Sequence, residues 1–95
     1  MANSLNNIFN NYDFNNIPIN KNIFEKHNNK ENAWISINNN VYSIQQDDTT
    51  LLELFKDYYG KDVKNFILSS ILFKDMKKRI LILEKLKDRK IGYLK

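Results

Sequence analysis

The sequence predicts an α+β fold, on three observations. Apolar and polar residues alternate on both sides of "NNN" at residues 38–40, as in a β-hairpin. From Leu51 onward the apolar residues recur instead at helical spacing. No repeat and no regular alternation of strand and helix patterns runs through the chain, which argues against a parallel α/β sheet.

The elements follow in order. Residues 1–18 are asparagine-rich, with Leu5, Ile8, Phe9, Tyr12, Phe14 and Ile17 set among the amides. Asparagine amides compete for backbone hydrogen bonds and disfavour regular structure. A disordered tail carries fewer aromatics than this. The reading is an extended N-terminal arm, closed by Pro18, whose apolar residues pack on the domain or on a partner. "INKNIFEKHNN" predicts a short helix with Asn20 as N-cap and Ile23, Phe24 and His27 toward a core. "NNKEN" is a turn. "AWISI" and "VYSI" are strands, and the asparagines between them tolerate the positive φ of a tight turn. Ala33, Ile35 and Ile37 share one face, and Trp34 and Ser36 share the other.

"DDTTLLELFKDYYG" places Leu51, Leu54, Phe55 and Tyr58 at helical spacing and ends in Gly60, a C′ residue. Asp47 and Asp48 suit its N-terminus. "KDVKNFILSSILF" is a second helical stretch, broken near Ser69 and Ser70. "FKDMKKRILILEKLKD" is a longer helix with Met76, Ile80, Leu83 and Leu86 on one face, widened by Leu81 and Ile82. Gly92 ends it.

The 95 residues make one small domain, with 42% hydrophobic and 13% aromatic residues for its core. The chain has no cysteine, which excludes disulfides, thiolate metal sites and cysteine nucleophiles. Its start lacks the charged, apolar pattern of a signal peptide, and its apolar runs are too short to span a bilayer. A cytoplasmic protein without a membrane span is expected. The net charge of +4 is uneven. Lys21, Lys26 and Lys30 against Asp13, Glu25, Glu31, Asp47 and Asp48 leave residues 1–50 at −2, so the second half carries +6. Such a balance marks either the solvated face of a terminal helix or contact with an acidic partner.

The pieces, taken in order, resemble the cytochrome b5 family. Lys26, His27 and Asn28 match the Lys-His-Asn that closes its first short helix. Trp34 matches the tryptophan of its next strand, and Val41 and Tyr42 match its Val-Tyr-Asp, with Ser43 in place of aspartate. "GKDVKNF" (Gly60 to Phe66) resembles its Gly-Lys-Asp-Ala-Thr-x-x-Phe segment, and "IGYL" (Ile91 to Leu94) its closing Ile-Gly-x-Leu. The similarity covers most of residues 19–94. It implies a small cytochrome b5-like domain over 19–95, with a short mixed sheet or hairpin, several short helices and an elongated basic C-terminal helix, after the arm at 1–18.

The family holds haem between two histidines, one in a His-Pro-Gly-Gly turn and one in a Gly-His-Ser turn. This chain has one histidine and no Pro-Gly-Gly. The resemblance places Asp48 at the first ligand position, with Thr49 and Thr50 beside it, and Ile71 at the second. It places His27 on the structural side of the fold, away from the cleft. Aspartate and isoleucine do not make a low-spin haem site. Phe66, Ile67, Leu68, Ile71, Leu72 and Phe73 are expected to collapse into the cleft as core.

No enzyme constellation is present. There is no second histidine and no glycine-rich phosphate loop, since the chain has two glycines. The expectation is a non-catalytic, haem-free scaffold without cofactor or metal, acting in a protein or ribonucleoprotein assembly. Its proposed contacts are Phe9, Tyr12 and Phe14 on the arm, and Lys74, Lys77, Lys78, Arg79, Lys85, Lys87, Arg89 and Lys90 near the C-terminus. These cations also suit RNA phosphate. Two alternatives stand beside it: haem-based electron transfer with unusual ligands, for which Tyr58 and Tyr59 are candidates, and a small hydrophobic ligand in the cleft.

Overall fold

The computed structural model describes residues 16–70 and 74–95. The hairpin is the centre from which the rest is placed. Strand β3 (Asn32–Ile37) turns through Asn38 and Asn39 into β4 (Asn40–Ile44). Both turn residues have positive φ, 51° and 68°. The asparagines are there because asparagine tolerates this region at small cost. Ala33 pairs with Ile44 and Ile37 with Asn40 in an antiparallel register.

Four further strands join this pair. They are β1 (Ile17–Ile19), β2 (Asn28–Asn29), β5 (Lys61–Asp62) and β6 (Lys90–Leu94). The order is β1-β6-β4-β3-β2, with β5 also pairing β3. β1 lies parallel to β6, and β6 lies antiparallel to β4 with a bulge at Val41/Tyr42. The segment after the long helix therefore corrects the sequence reading. Gly92 does not end a helix; it is a strand residue between β1 and β4. Its lack of a side chain lets β1 approach, because a Cβ there would overlap the Ile17 carbonyl.

Helix α1 (Lys21–Lys26) is capped as predicted: Asn20 Oδ1 accepts from Asn22 N–H at 2.8 Å. Phe24 is buried, but Ile23 is 52% exposed. Helix α2 (Thr49–Leu54) is shorter than its apolar spacing implies. Gly60 does not cap it. It turns the chain at φ 75° and donates its N–H to Trp34 O at 2.6 Å, leading into β5. Helix α3 (Lys64–Ser69) stops at the serine pair, as expected. Helix α4 (Met76–Lys87) starts at Asp75, whose carboxylate accepts from Lys77 N–H at 2.9 Å.

Alternation along β3 sends side chains to both faces of the sheet, and each face has its own core. Ala33, Ile35, Ile44, Leu51, Leu52, Phe55, Val63, Ile67 and Leu86 form the larger one, under the helices. Ile19, Phe24 and Val41 form the smaller, with Trp34, Ile91 and Leu94 against it. Ser36, 1% exposed, gives its hydroxyl proton to Asp62 Oδ2 at 3.0 Å. That bond satisfies its buried polar group.

Helix α4 departs from its predicted face. Leu86 is buried and Ile82 half-buried, whereas Met76, Ile80 and Leu83 are 61%, 54% and 40% exposed. The apolar set is too wide for one contact, and the sheet chose the Ile82/Leu86 side.

Candidate functional site

A groove of about 770 Å³ opens between α2 and α4. One wall is Thr50, Glu53, Leu54, Lys56 and Asp57, from α2 and the turn after it. The other is Lys78, Leu81, Ile82 and Lys85 on α4, with Phe66 of α3 between them. The α4 wall repeats at i, i+3, i+4 and i+7, the spacing of one helical face; the other comes from α2, which ends at Leu54, and the turn after it. Leu54, Phe66 and Ile82 rest on the larger core, while Leu81 stands 62% exposed at the edge. Phe66 is held by Tyr58, stacked at 4.6 Å between centroids, and by Phe55, edge-on at 6.0 Å.

The expected collapse is partial among the described residues: Ile67 enters the core and Phe66 packs half-buried against it while lining the groove, but Leu68 is 61% exposed. Helical geometry explains this, since three consecutive residues point in directions about 100° apart. Ile71, Leu72 and Phe73 lie outside the described residues.

Charge is divided across the groove. The α2 wall carries Glu53, Lys56 and Asp57, with Lys56 tied to Glu53 at 3.1 Å. The α4 wall carries Lys78 and Lys85.

The sequence-predicted residues are scattered. Asp48 immediately precedes α2 but makes no side-chain cap bond. Arg89, just past α4, donates to both its oxygens, and Gln45 N–H adds a third bond at 3.0 Å. The Arg89 hydrogen bonds hold the Asp48 carboxyl below the usual carboxylate range. Arg89 is thus engaged inside the fold rather than offered to a phosphate. Arg79 is half-buried, its Nε without a hydrogen-bond partner. Lys90 is half-buried in β6. Lys74, Lys77 and Lys87 are exposed, and Lys78 and Lys85 reach the groove. Phe9, Tyr12 and Phe14 lie outside the described residues. The i, i+3, i+4, i+7 signal of both walls was in the sequence, but nothing in it said which flank of α4 would face α2.

His27 stacks on Trp34, with centroids 3.3 Å apart and planes 5° from parallel. Trp34 belongs to the smaller core, on the face of β3 opposite the groove. Tyr59 gives its hydroxyl proton to Leu52 O, and burial pushes its phenol pKa up.

The solved structure of cytochrome b5 of Ostreococcus tauri virus 2 is similar to this one, with a TM-score of 0.51 and 19% identity. The match covers 80% of this chain and 94% of that one. The chain has a cytochrome b5-like fold. No protein-family model matches the sequence, and no curated protein does.

That fold implies haem, which needs strong axial donors: imidazole, thiolate, thioether or phenolate. The side chains lining the groove of this cytochrome b5-like domain hold none of these. Its histidine belongs to the other face, and the Tyr59 hydroxyl is spent on Leu52. No cluster of three metal-ligating side chains occurs among the described residues. The side chains that line the groove therefore do not fit axial haem ligation; Tyr58, the other tyrosine candidate, is stacked on Phe66 beside it. No described helix is long and apolar enough to cross a membrane.

Proposed function

We propose that this chain is a non-catalytic, haem-free cytochrome b5-like interaction module, a small subunit of a larger cytoplasmic assembly. The observation that carries this reading is the open apolar groove between α2 with its following turn and one face of α4, whose lining lacks strong axial donors. An exposed apolar surface with a polar rim is what binding surfaces look like. The module comprises residues 19–95 together with Ile17 and Pro18 of β1, and the rest of the arm at 1–18 is a second contact through Phe9, Tyr12 and Phe14. Lys74, Lys77 and Lys87 add a positive field that speeds encounter with an acidic partner.

The test is to isolate the full chain from its natural source, record its absorption spectrum and identify what co-purifies. The expected result is a colourless protein in a stable complex with a second protein. A Soret band from native haem overturns the reading. A complex that carries RNA and dissociates steeply with salt assigns it to a ribonucleoprotein.

A further inference from the structure

We infer that the groove between α2 and α4 is the docking site for an amphipathic helix of a partner protein, with carboxylates along the edge that meets α4. This rests on the interaction-module reading and names its partner's chemistry.

Shape carries the first part of the argument. One face of α4 at i, i+3, i+4, i+7 spacing and the short helix α2 with the turn after it bound the groove, and Phe66 lines it between them. A third helix laid between them sets its own apolar seam against Leu54, Phe66, Leu81 and Ile82, as helix-in-groove recognition does. The groove is open along its length, whereas small-molecule sites enclose most of their ligand.

Charge carries the second part. Lys78 and Lys85 stand on one wall; the other carries Glu53, Lys56 and Asp57, with Lys56 paired to Glu53. A docked helix needs acidic side chains on the α4 edge, and like charges there would repel it. The α2 wall, with two acids and one cation, is the weaker match for such acids, because a helix rolled about its axis brings them beside Glu53 and Asp57. A second copy of α4 is a poor occupant, since Lys77, Lys78, Arg79, Lys85 and Lys87 outnumber its one acid, Glu84. A bilayer is also a poor fit, because a concave site cannot lay Leu54 and Phe66 on a planar surface.

The test is fluorescence anisotropy of the full chain with a labelled synthetic helix. The helix has a leucine seam and glutamates along one edge. Saturable binding is expected. Leu81→Glu should weaken it about tenfold or more, the size of losing one apolar anchor. Because Leu81 is 62% exposed, that variant keeps the fold, which circular dichroism checks. Ile80→Ser, on the opposite flank of α4, should bind as the parent does. Lys78→Glu with Lys85→Glu should switch preference to a peptide with lysines in place of the glutamates.

Absent binding, equal binding of the lysine peptide by the parent, or an unchanged Leu81→Glu overturns the proposal. So does binding only to phosphatidylserine vesicles or only to RNA. If a native complex survives Leu81→Glu intact, the groove assignment fails and the module reading stands. If the chain has no native partner, the module reading itself fails.

Discussion

Arg89 grips Asp48 with two hydrogen bonds, Nε to Oδ2 at 2.6 Å and Nη2 to Oδ1 at 2.7 Å. The side chain of Asp48 is 13% exposed and that of Arg89 31%. Asp48 opens the segment that becomes one groove wall, and Arg89 follows the helix that is the other. The pair therefore ties the start of α2 to the end of α4. Bidentate, partly buried pairs of this kind are stronger than surface ion pairs. Asp48→Ala should cost about 2 kcal/mol, the scale of a lost charged hydrogen bond. Urea unfolding measures it.

The same pair sets an acid dependence. The folded-state pKa of Asp48 lies below its unfolded value, so its stabilisation is present above the unfolded value of about 3.9. It is lost as pH falls through the lower folded value. Asp48→Asn should flatten this acid limb, read as thermal midpoints between pH 6 and pH 2.

Gly92 predicts a local failure. An alanine there meets the Ile17 carbonyl, so β1 must move away from β6. Gly92→Ala should cost about 1–3 kcal/mol, the range for overpacking. Hydrogen exchange should rise at Lys95, whose N–H donates to Ile19 O, while Leu94, bonded to Asn39 O, and the β3–β4 hairpin keep their protection.

Phe55 is fully buried under the sheet. Phe55→Ala should cost about 3–5 kcal/mol. Small domains have about 5–15 kcal/mol in total, so this variant should be partly unfolded at 37 °C by circular dichroism.

Tyr59 predicts the alkaline side. Burial raises its pKa, so its contribution is intact below the unfolded value of about 10 and is lost as pH rises through the folded value. Tyr59→Phe should remove that part of the alkaline unfolding. It should also cost about 1 kcal/mol at neutral pH, for the bond to Leu52 O.

The hairpin was legible because its signals are local: alternation along β3 and asparagines at the turn. The Asn20 cap and the break after Ser69 were legible for the same reason. β1 and β6 were not, because strands made by distant partners leave little mark on five residues after a helix. The two walls of the groove were visible only as helical spacing. Which flank of α4 packed depended on the sheet, and Met76, Ile80 and Leu83 show that apolar spacing alone overstates burial. Asp48 was recognisable as a position but not as the partner of Arg89, 41 residues away.

The place of β6 also orders the birth of the fold. It lies between β1 and β4, yet it emerges from the ribosome after every other strand. Until then β1 has no neighbour and one edge of the hairpin stands open. Pairings this distant in sequence slow folding. The hairpin, β2 and β5 can pair as the chain is made, but the sheet gains its last two strands together, when β6 is threaded between β4 and β1.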